Sequence, residues 1–212
     1  MNPILMRLAQ SAALLVILTA CSALPDKPVR AVTYDFGPGA VTPAAALNSG
    51  AAQALAPIAL AEIESGSALN GTAVLYRLMY ANAQELRPYA QARWSMPPAQ
   101  LLRQRLREHL GKTRGVVNPG EAVASGTSPW VVRLELEEFS QLFESTSTSV
   151  GLLRMRATVI QALPVGEKLL GQRTFVVQRP AGSADAPGAV QALSAAGDAA
   201  VVEIDQWLQQ LR

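Results

Sequence analysis

Hydrophobic and polar residues alternate along the second half of the chain. Valines and leucines alternate with arginine and glutamate over residues 130–139, and residues 153–159 repeat the pattern with arginine and threonine as polar members. A period of two is typical of a strand with one buried face. A third run covers residues 171–178, in which we expect Phe175 and Val177 to face inward. The three runs predict three strands of one sheet.

Charges on the first two runs predict how these strands pair. A turn near Ser145 would make them an antiparallel hairpin, with Glu137 opposite Arg154 and Glu135 opposite Arg156. Opposite charges directly across two strands contribute about 0.2–1 kcal/mol each. A register displaced by two residues is the alternative. In either register the charged side chains are expected to form a solvated face of the sheet.

Four shorter runs in the first half of the chain also have the composition of strands. They are residues 33–36, 55–64, 72–80 and 86–94. Pro57 predicts a sheet edge or a strand start, because proline donates no hydrogen bond to a neighbouring strand. Pro88 interrupts the fourth run. Residues 37–53 are rich in Gly, Pro, Ala and Asn and predict a loop.

A helix is predicted to begin at Pro97-Pro98, since proline is tolerated in the first helical turn. Ser95 is its expected cap, and Gly111 its expected end. The intervening leucines form one apolar stripe, at positions 102, 106 and 110.

A second, longer helix is predicted over residues 188–211, where apolar side chains recur at helical spacing and Trp207 is assigned to the core. Residues 179–187 before it predict a loop. The order of elements is therefore strands, helix, strands, helix. This order predicts one α+β (mixed α/β) domain, with a mostly antiparallel sheet and two main helices packed on it.

The net charge of the chain limits the classes of partner that it is expected to bind. Its 212 residues carry a formal net charge of +2, with 18 Lys and Arg against 16 Asp and Glu. Nucleic-acid binding needs clustered positive charge that displaces counterions from phosphates. A chain with this balance is not expected to bind DNA or RNA.

Residues with catalytic or metal-binding chemistry are scarce. The one histidine is His109, in the last turn of the first predicted helix, where interaction with the helix end explains it better than catalysis does. The one cysteine, Cys21, cannot form an internal disulfide. An ordinary zinc site needs more His or Cys ligands than these. We expect no enzymatic activity, no cofactor and no bound metal.

The N-terminus has the pattern of an export signal. Arg7 precedes an apolar stretch over residues 8–18, and small residues follow in Leu18-Thr19-Ala20-Cys21. Such a stretch is typical of a signal peptide and is too short to span a bilayer as a stable helix. The predicted organisation is a signal peptide, a lipidated tether and one domain, at residues 1–20, 21–32 and 33–212.

The tetrad Leu18-Thr19-Ala20-Cys21 resembles the lipobox of bacterial lipoproteins. The resemblance implies that diacylglycerol is attached to the Cys21 sulfur, that the chain is cut before this residue, and that the new amine is acylated. Several acyl chains, at about 0.8 kcal/mol per buried CH₂, make such attachment effectively permanent. Ser22, in place of aspartate, implies delivery to the outer membrane, on its periplasmic face. An ordinary secretion signal with an incidental cysteine is the alternative.

The segment 84–102 is dense in Arg, Tyr, Trp and Pro. Aromatic residues and Arg are enriched at recognition surfaces, because they give large contact area together with a polar group. We therefore select Arg87, Tyr89, Arg93 and Trp94 as candidates for binding a partner. The alternative, given equal weight, is that Tyr89 and Trp94 are core residues on an irregular strand.

The same segment resembles the ABC-type transport auxiliary lipoprotein family, in particular its PqiC/YmbA group. The most specific part is Arg93-Trp94-Ser95-Met96-Pro97-Pro98-Ala99-Gln100-Leu101-Leu102. The lipobox, the strand VRLELEEFSQLF and the C-terminal helix AVQALSAAGDAAVVEIDQWL agree with it. The resemblance covers essentially the whole mature chain.

The resemblance implies a non-enzymatic component of an MCE-type lipid transport system, in which MCE-domain tunnels link an inner-membrane ABC transporter, or another membrane-embedded partner, to the outer membrane. The chain would dock the MCE protein at the outer membrane and so maintain the envelope. By family analogy it would form a homo-oligomeric ring and contact phospholipid. The alternative function is an envelope lipoprotein that regulates a cell-wall synthase. A periplasmic hydrolase is disfavoured by the single His109.

Overall fold

The computed structural model describes residues 30–39, 55–124, 130–163 and 165–211. Cys21, the predicted signal peptide, most of the predicted tether and most of the predicted loop 37–53 lie outside these residues. The described strands are β1 (Val32–Tyr34), β2 (Leu55–Ser65), β3 (Ala73–Leu78), β4 (Asn82–Trp94), β5 (Arg114–Val117), β6 (Trp130–Phe143), β7 (Ser149–Ala162) and β8 (Glu167–Pro180). The described helices are α1 (Pro98–Leu110), α2 (Pro119–Ala124) and α3 (Ala186–Gln210), with a 3₁₀ turn at Ser67–Leu69.

The long strand β6 lies at the centre of one mixed sheet. On one side it pairs with β7, which in turn pairs with β8, and both pairings are antiparallel. On its other side, the first half of β6 runs parallel to β2, and its last three residues run parallel to β3. Beyond β2 lies β5, and beyond β3 lie β4 and β1. The sheet therefore forks on this side of β6.

The three alternating runs form β6, β7 and β8, and Glu135 lies opposite Arg156 as predicted. The predicted pairing of Glu137 with Arg154 is wrong, because a bulge in β6 places Glu138 opposite Arg154. A bulge adds one residue to one strand and changes the register beyond it. The Glu137 carboxylate instead accepts a hydrogen bond from Arg156.

The expectation of a mostly antiparallel sheet is also wrong. Among the described residues, four of the seven strand pairings are parallel: β1 with β4, β2 with β5, β2 with β6, and β3 with β6. Alternation predicts which face of a strand is buried. It does not predict the direction of a neighbour that is distant in sequence, and each parallel pair here joins distant segments.

The first-half strands differ from prediction at their ends. β4 is continuous over Asn82–Trp94 despite Pro88, and β3 ends at Leu78, two residues before the predicted end. Pro57 lies near the start of β2, which agrees with the strand-start interpretation; at Ile58 and Ala59 the strand pairs with both β5 and β6, so Pro57 does not mark a sheet edge. β5 and α2 were not predicted.

Helix α1 begins at Pro98, with Pro97 at the capping position. Ser95 is therefore not the cap, and no side chain caps this helix. Gly111 ends α1 with a right-handed backbone, and a Cβ there would lie 2.9 Å from the Arg107 carbonyl oxygen. The stripe leucines are buried, at positions 102, 106 and 110.

Helix α3 begins at Ala186, two residues before its predicted start. Asp185 caps it, and its carboxylate accepts hydrogen bonds from the Ser183 hydroxyl at 2.5 Å and the Gly188 N–H at 2.9 Å. These two hydrogen bonds lower the pKa of Asp185. Trp207 packs against Phe175, with ring centroids 5.7 Å apart, which confirms its assignment to the core.

The helices α1 and α3 lie against one face of the sheet and contact each other. α1 covers β2 and β5, and α3 covers β6, β7 and β8. The approach of α3 to β7 is so close that a Cβ at Gly151 would lie 2.8 Å from the α3 backbone at Ala192. Glycine at this position therefore allows the helix to lie directly on the sheet.

The segment after β1 folds over the helices. The Phe36 ring packs edge-on against Trp94, with centroids 5.5 Å apart. The Arg105 guanidinium on α1 donates hydrogen bonds to the Phe36 carbonyl and, at 3.3 Å, to the Gly37 carbonyl. A Cβ at Gly197 on α3 would lie 3.1 Å from the Phe36 ring, so this glycine leaves room for the aromatic side chain.

A buried carboxylate joins three elements. Asp205 on α3 accepts a hydrogen bond from Arg114 of β5 at 3.1 Å, and its other oxygen lies 3.2 Å from Nε2 of His109 at the end of α1. Asp205 and Arg114 are both buried. A charge inside a protein is costly unless it is paired, so each of these groups depends on the others.

We expect Asp205→Ala to lower the free energy of unfolding by about 3–5 kcal/mol, because it leaves Arg114 buried without a counter-charge. The matched control is Asp198→Ala, on the same helix. The Asp198 carboxylate is mostly exposed and lies 3.1 Å from Arg105, and an exposed pair contributes at most about 1 kcal/mol. Urea unfolding followed by tryptophan fluorescence measures both. Equal losses in the two variants would contradict this role for Asp205.

Candidate interaction surface

The segment rich in Arg, Tyr and Trp forms β4, and much of the outer edge of this strand is uncovered. The three-residue strand β1 pairs only with residues 92–94 of β4. Among the described residues, no strand pairs with the outer edge of residues 82–91. Such an edge presents backbone N–H and C=O groups to which an extended segment of a partner can hydrogen-bond.

Trp94 does not lie on this surface. The residue is 2% exposed, and its ring packs between Phe36 and Phe139 at centroid distances of 5.5 and 5.7 Å. The structure therefore places Trp94 in the core, which was the alternative interpretation of this residue. It offers a partner no accessible surface.

Arg93 is half-buried and is bound to its own strand. Its Nη1 donates hydrogen bonds to the carbonyl oxygens of Tyr89 at 2.6 Å and Ala92 at 2.8 Å. These bonds hold the guanidinium against the backbone of β4. A partner would therefore contact an Arg93 side chain that is folded back on β4, not one that extends into solvent.

Tyr89 is half-buried and joins β4 to the centre of the sheet. Its hydroxyl donates a 2.5 Å hydrogen bond to Oε1 of Gln141 on β6, and Gln141 Nε2 donates to Ser149 Oγ on β7 at 2.8 Å. Burial raises the pKa of Tyr89, so its hydroxyl keeps the proton that it donates. Gln141 is wholly buried, and the hydrogen bond therefore satisfies a polar group without access to water.

Arg87 is half-buried, and its side chain is 39% exposed. Its Nη2 donates to Oε2 of Glu85, two residues earlier on the strand, at 2.5 Å. This hydrogen bond lowers the pKa of Glu85. A solvent-exposed ion pair contributes little to stability, so both side chains are available to exchange it for contacts with a partner.

Two exposed residues next to this edge were not selected from the sequence. Met79 and Tyr80 form the turn between β3 and β4, and both are large, apolar and exposed. Met and Tyr are enriched at protein interfaces. In the sequence they end the apolar run 72–80. This run predicts a strand through Tyr80, so the turn is not apparent from the sequence.

We call this region of the molecule the β4 edge surface. It consists of the outer edge of residues 82–91 with the side chains of Met79, Tyr80, Arg87 and Tyr89. Its groups are suited to binding through backbone hydrogen bonds, aromatic contact and charge. In the described residues, no group of three His, Cys, Asp or Glu side chains could hold a metal ion.

A separate cleft of about 580 Å³ lies between α1, α3 and the segment after β1. It is lined by side chains of both charges and by valines: Arg105, Glu108, His109, Lys112, Asp198, Val201 and Val202, with Phe36, Pro38 and Gly39 at one side.

No helix in the described part of the chain is long and apolar enough to cross a bilayer.

Alanine substitutions distinguish the core residue Trp94 from the surface candidate Arg87. Trp94→Ala should lower the free energy of unfolding by about 3–5 kcal/mol, because it leaves a cavity between two aromatic rings. Arg87→Ala should change it by no more than about 1 kcal/mol, because the side chain is 39% exposed and its contacts with Glu85 and Tyr76 are open to solvent screening. Chemical unfolding of both variants is the measurement. A large loss in Arg87→Ala would show that Arg87 has a structural role instead.

Two solved structures are similar to this one. A Xanthomonas campestris protein of family DUF330 aligns with a TM-score of 0.61 and 18% sequence identity, over 73% of this chain and 84% of that chain. An uncharacterized protein aligns with a TM-score of 0.59 and 12% identity, over 84% of this chain and 99% of that chain. At these identities the likeness establishes a shared fold. No curated protein matches the sequence.

A comparison with family models identifies the family of the chain. The model of the ABC-type transport auxiliary lipoprotein component matches residues 38–205. This range contains β2 to β8, the helices α1 and α2, and most of α3. The match confirms the resemblance seen in the sequence: the chain belongs to the ABC-type transport auxiliary lipoprotein family.

Proposed function

We propose that this protein is a lipid-anchored, outer-membrane component of an MCE-type ABC lipid transport system, facing the periplasm. Its task is to dock the periplasmic MCE protein at the outer membrane through the β4 edge surface. Family membership over residues 38–205 is the observation that carries the proposal. The tetrad ending in Cys21 supports the anchor, and Ser22 supports outer-membrane delivery.

The physical demand on such a system explains why an anchored docking protein is useful. A lipid crossing the aqueous periplasm would expose its acyl chains, at a free-energy cost proportional to their apolar area. A continuous protein tunnel shields the acyl chains from water, but only if the tunnel reaches the target membrane. A docking surface tethered to that membrane has a high effective concentration there.

The β4 edge surface is the part of the domain best suited to this docking. The outer edge of its residues 82–91 has no strand partner within the described residues, whereas the inner edge pairs with β3. The exposed Met79 and Tyr80 lie beside them, and Arg87 adds a charge that exchanges partners at little cost. Tyr89 holds the strand on Gln141, so the surface is already ordered before a partner binds.

Site-specific photo-crosslinking in cells tests the proposal. A photoreactive amino acid in place of Arg87 should capture an MCE-domain protein, whereas the same group in place of Thr174, exposed on β8 at the opposite side of the sheet, should not. Capture of a peptidoglycan synthase from position 87 would favour a regulator of cell-wall synthesis. Capture of a second copy would indicate that this edge builds a homo-oligomeric ring. Absence of an MCE protein would contradict docking at this surface.

Lipidation has its own test. Mass spectrometry of the native protein should find acyl chains on Cys21 and no residues before it. Cys21→Ala should remain uncleaved or leave the outer-membrane fraction, because each buried CH₂ of an acyl chain contributes about 0.8 kcal/mol to attachment. An unmodified Cys21 in a protein that washes freely from the envelope would overturn the anchor.

A further inference from the structure

The two hairpin turns of β6, β7 and β8 differ in chemistry. The turn between β6 and β7 is polar: it consists of Glu144 and serines and threonines up to Thr148. The turn between β7 and β8 is aliphatic. Its side chains are exposed to solvent, with Leu163 at 45%, Val165 at 91% and Leu169, at the start of β8, at 60%. We call these three side chains the apolar tip.

The apolar tip is held in a defined shape. The Leu163 N–H donates a 3.1 Å hydrogen bond to the Gly166 carbonyl, which closes the turn. Gly166 has a φ of +84°, a conformation that favours glycine. The turn therefore holds Val165, which is 91% exposed, at the end of the β7–β8 hairpin.

The apolar tip and the β4 edge surface belong to opposite ends of the sheet. Trp130, the first residue of β6, is paired with Gln161 just before the tip. Phe143, the last residue of β6, accepts a hydrogen bond from the Met79 N–H at the turn of the β4 edge surface. The 14 residues of β6 separate these ends by about 43 Å.

Charges beside the tip suit a lipid surface. Glu167 is neutralised by Arg133, whose Nη2 lies 2.7 Å from its carboxylate. The next residue, Lys168, is exposed. Its long apolar stem can keep the ammonium group at the level of phosphate headgroups while the neighbouring leucine lies deeper.

We propose that the apolar tip inserts into the bilayer to which the Cys21 anchor ties the domain. The inference rests on the anchor of the proposed function. Residues 21–31 precede β1 and can extend no further than about 40 Å, which is close to the length of β6, so the bilayer stays within reach of the tip. The three side chains of the tip are aliphatic and exposed, and a fluid bilayer accepts such side chains without the matching pocket that a protein partner would need.

This contact orients the domain. With the apolar tip in the membrane, the long strands stand away from the bilayer, and the β4 edge surface faces the periplasm at the far end. The lipid anchor alone would leave the domain free to turn on its tether. The tip thus provides a second point of attachment.

The test uses the full-length lipidated protein in vesicles of phosphatidylethanolamine and phosphatidylglycerol. Val165→Cys introduces one free thiol for an environment-sensitive dye, because the lone native cysteine is acylated. Ser147→Cys, at the polar turn on the opposite end, is the matched control. The wild-type protein should take up no dye.

We expect the dye at position 165 to show blue-shifted emission, loss of quenching by iodide, and quenching by spin-labelled acyl chains. The dye at position 147 should remain fully open to iodide. Adding Leu163→Asp to Val165→Cys should restore iodide quenching while the protein stays on the vesicles through its acyl chains.

Three outcomes would overturn the proposal in distinguishable ways. Protein that floats with the vesicles but is equally quenched at positions 165 and 147 overturns insertion of the tip and leaves the anchor intact. Shielding of position 165 that occurs in native envelopes but not in pure vesicles also overturns it, in favour of a protein partner. Protein that fails to float overturns the anchor itself, and the tip contact with it.

Discussion

The apolar face of the sheet must be covered, and the helices α1 and α3 together cover it. β6 is hydrogen-bonded on both sides, so its inward residues can be hidden from water only by elements stacked on the sheet. α3 comes close enough to require Gly151 beneath it. Where the two helices meet β5, Asp205 binds His109 and Arg114. Packing of the helices and pairing of the buried charges are therefore interdependent.

The same central strand produces the exposed edge. Because β2 and β3 share one side of β6, the sheet divides, and β4 becomes the outer strand of one branch. β1 is too short to cover it beyond residues 92–94. The Tyr89 hydroxyl, bonded to Gln141, holds this branch firmly on the centre of the sheet. An edge that is both ordered and uncovered can bind without first losing much conformational freedom.

The parts of the fold that local patterns determine could be predicted, and the parts that depend on distant contacts could not. Alternation identified β6 to β8, and the stripe of leucines identified α1. The direction of β2 relative to β6 depends on a connection that passes through five other strands and helices, which periodicity does not record. Composition selected Arg87 and Trp94 together as surface candidates, although only tertiary packing decides that one is exposed and the other lies against Phe36. Met79 and Tyr80 were missed because an apolar turn resembles the end of a strand.

The segment that follows β1 has a mechanical consequence. Any pull on the N-terminus enters the domain at Val32 and meets a ladder of only three residue pairs. Immediately behind it, the Phe36 ring is seated on Trp94 and its carbonyl is held by Arg105. A force strong enough to peel away the short strand must therefore next break the contacts of Phe36 with Trp94 and Arg105. Under tension from the N-terminal side, the domain should therefore fray first at β1.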